Sequence, residues 1–180
     1  MILHPGGCSS GVTRQDGRRG VRILMVCLGN ICRSPTAEGV LRALVRQAGH
    51  ESHFFIDSAG MLATHAGQAP DRRSQQAALQ RGYDLSSLRA RQVNVTDFQR
   101  FDWLLAMDHD NLAGLQRLCP DPAWQDKLRL FLSFAPQGGL EEVPDPYYGG
   151  VAGFEQVLDL CEAGARGILA MHARQQAEGK

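Results

Sequence analysis

From Val21 onward, two kinds of block follow one another along the chain. Short, continuous apolar runs recur, separated by longer stretches in which apolar residues fall every three or four positions. The first pattern marks buried strands and the second marks amphipathic helices. Residues 22–27, Arg22 to Cys27, predict a strand. Residues 35–48 predict a helix whose apolar face is Val40, Leu41, Leu44 and Val45. His53 to Asp57 predicts a second strand, followed by the turn-rich Ser58-Ala59-Gly60 and a loop to Pro70. A polar helix is expected over 71–81, stopped at Gly82. A short helical turn after Thr96-Asp97 precedes a third strand, Trp103 to Met107. Asp108 to Leu118 reads as a helix with Leu112, Leu115 and Leu118 inward, ended by Pro120. Lys127 to Phe134 predicts a fourth strand, and a Pro- and Gly-rich loop over 136–153 leads to a last helix, 154–176.

Alternation of this kind implies an α/β fold, a parallel sheet with helices on both faces. Ligands of such sheets bind beyond the carboxyl ends of the strands. With 180 residues, 43% of them hydrophobic, the chain suits a single domain with a sizeable core. We expect that domain over 21–180. Residues 1–20, rich in Gly, Ser and Arg and without period, are expected to be a disordered extension. Lys plus Arg equals Asp plus Glu at 19 each, so no bulk charge argues for a nucleic acid or membrane partner. No apolar run approaches the roughly eighteen residues that a membrane span needs. The 5 cysteines are an odd, unevenly spaced set without a signal-peptide pattern, which points to a reducing, cytoplasmic setting.

The candidate chemistry sits where the first strand should end. There the chain reads Cys27-Leu28-Gly29-Asn30-Ile31-Cys32-Arg33-Ser34-Pro35. Ser34 is placed to be a helix N-cap, Pro35 the first helical residue, and Glu38 follows in the first turn. A turn of this kind aims several backbone N–H groups at one point, backed by the positive end of a helix, and so cradles an oxyanion such as phosphate. Gly29 and Asn30 are the residue types that best accept the backbone angles of so tight a loop. Cys27 opens the cradle as a nucleophile. Arg33 closes it with a planar fork that can hold two phosphoryl oxygens at once. Amides from Leu28 to Arg33 and the guanidinium favour the thiolate, and the Ser34 hydroxyl is placed to hydrogen-bond the sulfur. Cysteine and arginine at this spacing are not diagnostic alone, because Cys8 and Arg14 share it. The Cys8 copy lacks the Ser after Arg, a preceding strand and a following helix, and reads as an accident of the tail. What Cys27 lacks is a proton donor for a leaving group. Asp145, held between Pro144 and Pro146, projects a carboxylate suited to that task or serves only as a turn residue. Tyr147 and Tyr148 could wall a cleft for an aromatic group or cap the core.

These residues carry a resemblance. Cys27 to Pro35, Asp57-Ser-Ala-Gly60, Ala90-Arg-Gln92, Met107-Asp-x-x-Asn111 and Asp145-Pro-Tyr-Tyr-Gly149 recur in the same order in low-molecular-weight protein tyrosine phosphatases. The resemblance spans roughly residues 21–177. It implies a four-stranded parallel sheet and metal-free hydrolysis of phosphotyrosine in a protein or peptide, without a cofactor. The reaction would pass through a cysteinyl-phosphate intermediate and release inorganic phosphate. By position, Cys27 is the nucleophile, Arg33 the phosphate clamp and Asp145 the general acid. Leu28, Gly29, Asn30, Ile31, Cys32 and Ser34 form the phosphate loop, Tyr147 and Tyr148 the substrate cleft, and Asn30, Ser34 and Ser58 brace the loop. Two positions depart from the family. Thr64, followed by His65, stands where Trp or Tyr often faces Tyr147, which predicts a thin wall. Leu88 stands where a His often precedes Ala-Arg-Gln, a position that bears on the rigidity of the Asn30 network.

The remaining cysteines and histidines suggest packing. Cys32 reads equally as a small buried residue or as a redox partner of Cys27. Cys119 and Cys161 fall on predicted helices, and the six histidines show no metal-ligand spacing. Three other functions are weighed. An arsenate reductase on this architecture needs further cysteines near the site, and none lies between Cys32 and Cys119. A non-catalytic phosphate-binding module would lack the nucleophile or the acid. A phosphoarginine-directed branch of the family carries Thr where this chain has Ile31.

Overall fold

In a computed structural model, the described residues are 20–137 and 139–178. The expected extension and the Cys8 copy therefore lie outside them, apart from Gly20. The elements are β1 (Val21–Cys27), α1 (Arg33–Gln47), β2 (Phe54–Gly60), α2 (Arg72–Gln80), α3 (Asp97–Arg100), β3 (Trp103–Ala106), α4 (His109–Leu118), β4 (Leu128–Leu130) and α5 (Val151–Glu178). The strands form one parallel sheet in the order β2-β1-β3-β4. The chain leaves β1 for one neighbour and later returns to its other side. The carboxyl end of β1 is therefore the point where the strand order reverses, the place at which open α/β sheets bind ligands.

Burial explains why β1 reads as a continuous apolar run. Ile23, Met25 and Cys27 face a core shared with α1 and α5, while Leu24 and Val26 face a second core with Phe98, Phe101 and Leu115. A strand covered on both sides has no polar face to alternate with. Leu115 is fully buried on α4, with Leu112 and Leu118 packed beside it, as the periodicity predicts.

Several boundaries differ from the sequence expectation. Helix α1 begins at Arg33 with Cys32 as its N-cap, so Ser34 is inside the helix and its hydroxyl serves the site instead. Glu38 accordingly lies in the second turn and is buried. Strand β2 runs on through Ser58 and Ala59 to Gly60, because parallel pairing with β1 continues to Cys27 opposite Gly60. There a side chain is excluded: a Cβ on Gly60 would stand 2.9 Å from the Leu28 carbonyl oxygen and 3.1 Å from the Asn30 nitrogen. Strand β4 stops at Leu130, and Phe131–Phe134 coil into a 3-10 turn that buries Phe131 and Leu132. Helix α5 starts at Val151, three residues before the predicted start. Cys161 is buried on α5, whereas Cys119 lies one residue past α4 and donates to the Asp121 carbonyl oxygen.

Candidate active site

Residues 28–32 loop over the end of β1, and Asn30 among them turns its N–H toward the Cys27 sulfur. Asn30 has φ of 56°, the left-handed region that Asn tolerates better than most residues. This conformation turns the Asn30 N–H toward Cys27 Sγ at 3.3 Å. Ser34 Oγ lies 3.0 Å from the same sulfur. The Asn30 side chain is used completely. Its Nδ2 donates to Ser34 Oγ and to Ser58 Oγ, both at 2.9 Å, and its Oδ1 accepts from the Arg91 N–H at 2.9 Å. With Leu88 in place of a His, the Asn30 side chain still makes all three of these hydrogen bonds. The Arg91 backbone satisfies the amide oxygen, and Leu88 packs against the core instead. Arg91 itself is anchored by Asp57 and the fully buried Asp97.

Arg33, the first residue of α1, reaches across the pocket floor. Nη1 donates to Asp108 Oδ2 at 2.5 Å and to the Val143 carbonyl oxygen at 3.1 Å, and Nη2 reaches Asp145 Oδ2 at 3.4 Å. Burial works against the guanidinium charge, but Cys27, Asp108 and Asp145 outweigh it and hold Arg33 more firmly protonated. Asp108 has a second task as the N-cap of α4, accepting from the Asn111 N–H. One side chain thereby fixes both a helix start and the arginine fork.

Asp145 faces this floor from the loop before α5. Its Oδ1 accepts from the Tyr147 N–H at 3.1 Å, and its side chain is 47% exposed. Cys27, Leu28, Gly29, Ile31, Cys32, Arg33, Asp145, Tyr147 and Tyr148 line one cleft of about 260 Å³, together with His65. The two tyrosine rings meet edge to face, and Arg73 holds the loop by donating to the Tyr147 carbonyl oxygen. Tyr147 stands beside the cleft, while Tyr148 is 97% exposed and marks its rim rather than a wall. The thin wall expected at Thr64 is also corrected. His65 lines the cleft, packs close over Gly29 and is steadied by Gln68 Oε1 at 3.0 Å from Nδ1.

Cys32 lies beneath the loop, buried, and that burial pushes its thiol up to about 12, with the nearby Ser74 hydroxyl opposing only in part. Among the described residues, no group of three or more His, Cys, Asp or Glu side chains is arranged to hold a metal ion. The site therefore joins every predicted residue: the loop 27–34, Ser58 beneath it, and Asp145, Tyr147 and Tyr148 above. Sequence reasoning misses Asp108, His65 and Arg73. Asp108 stands in one of the shared motifs without a role, because its partner is 75 positions away.

Such a cleft offers a sulfur nucleophile, convergent N–H groups, a fixed cation and a carboxylate across from them. Residues 22–178 match the family model for low molecular weight phosphotyrosine protein phosphatases. The low molecular weight protein-tyrosine-phosphatase of Streptomyces coelicolor is 44% identical over 88% of this chain and 97% of its own length. A protein tyrosine phosphatase structure from Entamoeba histolytica superposes with a TM-score of 0.83 at 36% identity, covering 87% of this chain and 99% of that one. The structure of a Drosophila arginine phosphatase also superposes, with a TM-score of 0.77 at 31% identity over 83% of this chain and 96% of that one. The sequence motifs, the sheet order and the cradle at the end of β1 all converge on one family, and this chain belongs to the low molecular weight phosphotyrosine protein phosphatases.

Proposed function

We propose that this protein hydrolyses phosphotyrosine in proteins or peptides through a phosphate ester of Cys27. Cys27 Sγ attacks phosphorus, forming the S–P bond while the P–O bond to the phenol breaks. Asp145 gives its proton to the departing phenol oxygen, since a phenolate expelled without one costs more in the transition state. Loop amides and Arg33 hold the three other phosphoryl oxygens, where negative charge is greatest. In the second half, Asp145 takes a proton from water as the water oxygen attacks phosphorus. The S–P bond breaks, the thiolate leaves, and inorganic phosphate is released.

The observation that carries this reading is the placement of Cys27 Sγ. It lies 3.3 Å from the Asn30 N–H and 3.0 Å from Ser34 Oγ, in a cleft that Arg33 and Asp145 share. A buried sulfur at the foot of a cleft is reached by phosphate on a long aryl stem and poorly by the short stem of phosphoserine. Tyr147 and His65 flank the stem, and ring contacts of that kind contribute about 0.5–1.5 kcal/mol beyond area burial. Likeness to the arginine phosphatase favours a second reading, phosphoarginine hydrolysis. Against it stands Ile31, which lines the cleft and offers a guanidinium no hydrogen-bond acceptor from its side chain. Arsenate reduction has less support, since neither Cys161, which is fully buried, nor Cys119 is among the residues that line the cleft. A cytoplasmic setting suits a site that depends on a reduced thiol.

Rates on phosphotyrosine, phosphoserine and phosphoarginine peptides and on arsenate test this. We expect phosphotyrosine to be hydrolysed fastest, and Ile31→Thr to shift the ratio toward phosphoarginine. A wild-type preference for phosphoarginine, or equal rates on phosphoserine and phosphotyrosine, would overturn the assignment.

A further inference from the structure

One buried acid near the site takes no part in the steps above. Glu38 is 2% exposed on the inner face of α1, and a carboxyl in such a place is costly where an apolar side chain would fill the same space. Burial raises its carboxyl above the ordinary range, and Arg42 and the Ser58 hydroxyl work in the opposite direction. Around it stand Arg42 from its own helix, Asp57 from β2, and Arg91.

We infer that Glu38 is a positioning residue, the terminal acceptor of a buried hydrogen-bond chain that holds the Asn30 amide in place against the Ser34 hydroxyl. This rests on the reading of Cys27 as nucleophile. Counting hydrogens shows why. The Asn30 amide cannot turn over, because its Oδ1 is needed by the Arg91 N–H. Both Nδ2 hydrogens are therefore donated, one to Ser34 Oγ and one to Ser58 Oγ. Each serine has a single hydrogen, and each must send it away from Asn30. Ser58 sends its hydrogen to Glu38 Oε2 at 2.5 Å, while Oε1 of the same carboxyl pairs with Arg42 at 2.7 Å. Ser34 has Cys27 Sγ at 3.0 Å and the Ala59 carbonyl oxygen at a weaker 3.4 Å. Donation thus runs outward from Asn30 along two branches, one ending in an O–H aimed at the sulfur and the other in a carboxylate.

Removing the acceptor reverses this logic. Without Glu38, Ser58 becomes a buried donor with no acceptor, a state that costs about 1–3 kcal/mol. Its cheapest relief is to turn its lone pair away from Asn30. The amide then loosens, and Ser34 no longer holds its hydrogen on the sulfur. That hydrogen bond favours the thiolate twice, in the free enzyme and as the group that leaves phosphorus in the second half of the reaction. The expected signature is therefore a slower thiol and a lower kcat, with KM little changed.

Alkylation of Cys27 by iodoacetamide at pH 6, followed by mass spectrometry, reads the thiolate directly. Glu38→Leu is expected to alkylate about tenfold more slowly and to lose kcat about tenfold with KM within about twofold, as befits one charge-assisted hydrogen bond. Ser58→Ala breaks the same chain while keeping the Glu38–Arg42 pair, so it should give the same changes and carries the test if Glu38→Leu does not fold. The double variant should lose little more than either single one. Glu38→Gln keeps an acceptor for Ser58 and should recover most of the loss. Unchanged or faster alkylation in both Glu38→Leu and Ser58→Ala would overturn the proposal, since a merely loosened loop exposes the sulfur. If alkylating Cys27 leaves wild-type turnover intact, the nucleophile assignment fails instead.

Discussion

Residues 27–34 and residues 141–150 line the same cleft, but they are held by opposite means. In the first loop the side chains of Asn30, Arg33 and Ser34 all have buried partners. Asn30 alone makes four hydrogen bonds in a left-handed conformation, and Gly60 lets the neighbouring strand approach without a side chain. In the second, buried Val143 is the anchor, its carbonyl oxygen accepting from Arg33, and the contacts beyond it are few. The Val143 N–H donates to the Met107 carbonyl oxygen, Arg73 holds the Tyr147 carbonyl oxygen, and Glu142 accepts from the His109 N–H. The side chains that would meet a substrate stay open to water, with Asp145 half-exposed and Tyr148 almost wholly so. The difference matches the roles proposed for the two loops. Stabilising charge on phosphorus requires donors fixed in advance, because reorganisation during reaction would forfeit their effect. Delivering a proton to leaving groups of varied shape requires a carboxylate within reach rather than a locked one.

Substitutions in the two loops should therefore fail differently. On poor leaving groups, Asp145→Asn is expected to slow turnover by about 10²–10⁴-fold, the usual contribution of a general acid. On activated aryl phosphates, which leave without a proton, the loss should be far smaller. A leaving-group series of aryl phosphates checks this, and equal losses across it would make Asp145 structural. Asn30→Ala should instead cost all substrates alike, by about 10–100-fold. It removes three side-chain hydrogen bonds and leaves a residue that adopts positive φ at a cost of about 1–2 kcal/mol. The same series reads that uniformity, and a leaving-group-dependent loss would break the contrast between the loops.

The contrast also shows how much of the molecule is legible in its sequence. The phosphate cradle is encoded locally, in nine consecutive residues whose types match the backbone they must adopt, so the amino-acid order alone reveals it. The start of α1 is easily misplaced, because Ser34 looks like a cap by its neighbours. The sequence already places that hydroxyl at the Cys27 sulfur, and only the fold reveals that Cys32 stands at the cap instead. The turn-rich Ser58-Ala59-Gly60 is a strand because β1 continues beside it, a cause that lies about 30 residues away. Asp108 is invisible as the partner of Arg33 for the same reason. His65 is visible as a residue but not as a wall, since its packing over Gly29 depends on how the loop after β2 folds back. Local chemistry is readable, and long-range pairing is not.

Burial predicts a smaller effect on stability at high pH. Cys32, beneath the rigid loop, has its thiol pushed up to about 12, and Cys161 on α5 is pushed up as well, both chiefly because burial disfavours the thiolate. The fold therefore holds protons on these groups that the unfolded chain releases above its ordinary value near 9.0. Stability should be complete below about pH 9 and fall as pH rises beyond it, by at most about 1.4 kcal/mol per thiol for each further unit. Urea midpoints between pH 8 and 10 measure this. Cys161→Ala should flatten the pH dependence even though the cavity it leaves lowers stability at every pH. An unchanged slope in that variant would mean that the thiol is not the titrating group.

A covalent bond between Cys27 and phosphorus is the step on which the proposed activity depends. Wild-type protein mixed with a phosphotyrosine peptide, quenched in acid within milliseconds and digested, should carry one phosphate on the peptide that contains Cys27. The Cys27→Ser protein should still bind inorganic phosphate but show neither that mass nor turnover. Phosphate on any other residue, or near-normal turnover by Cys27→Ser, would contradict the mechanism.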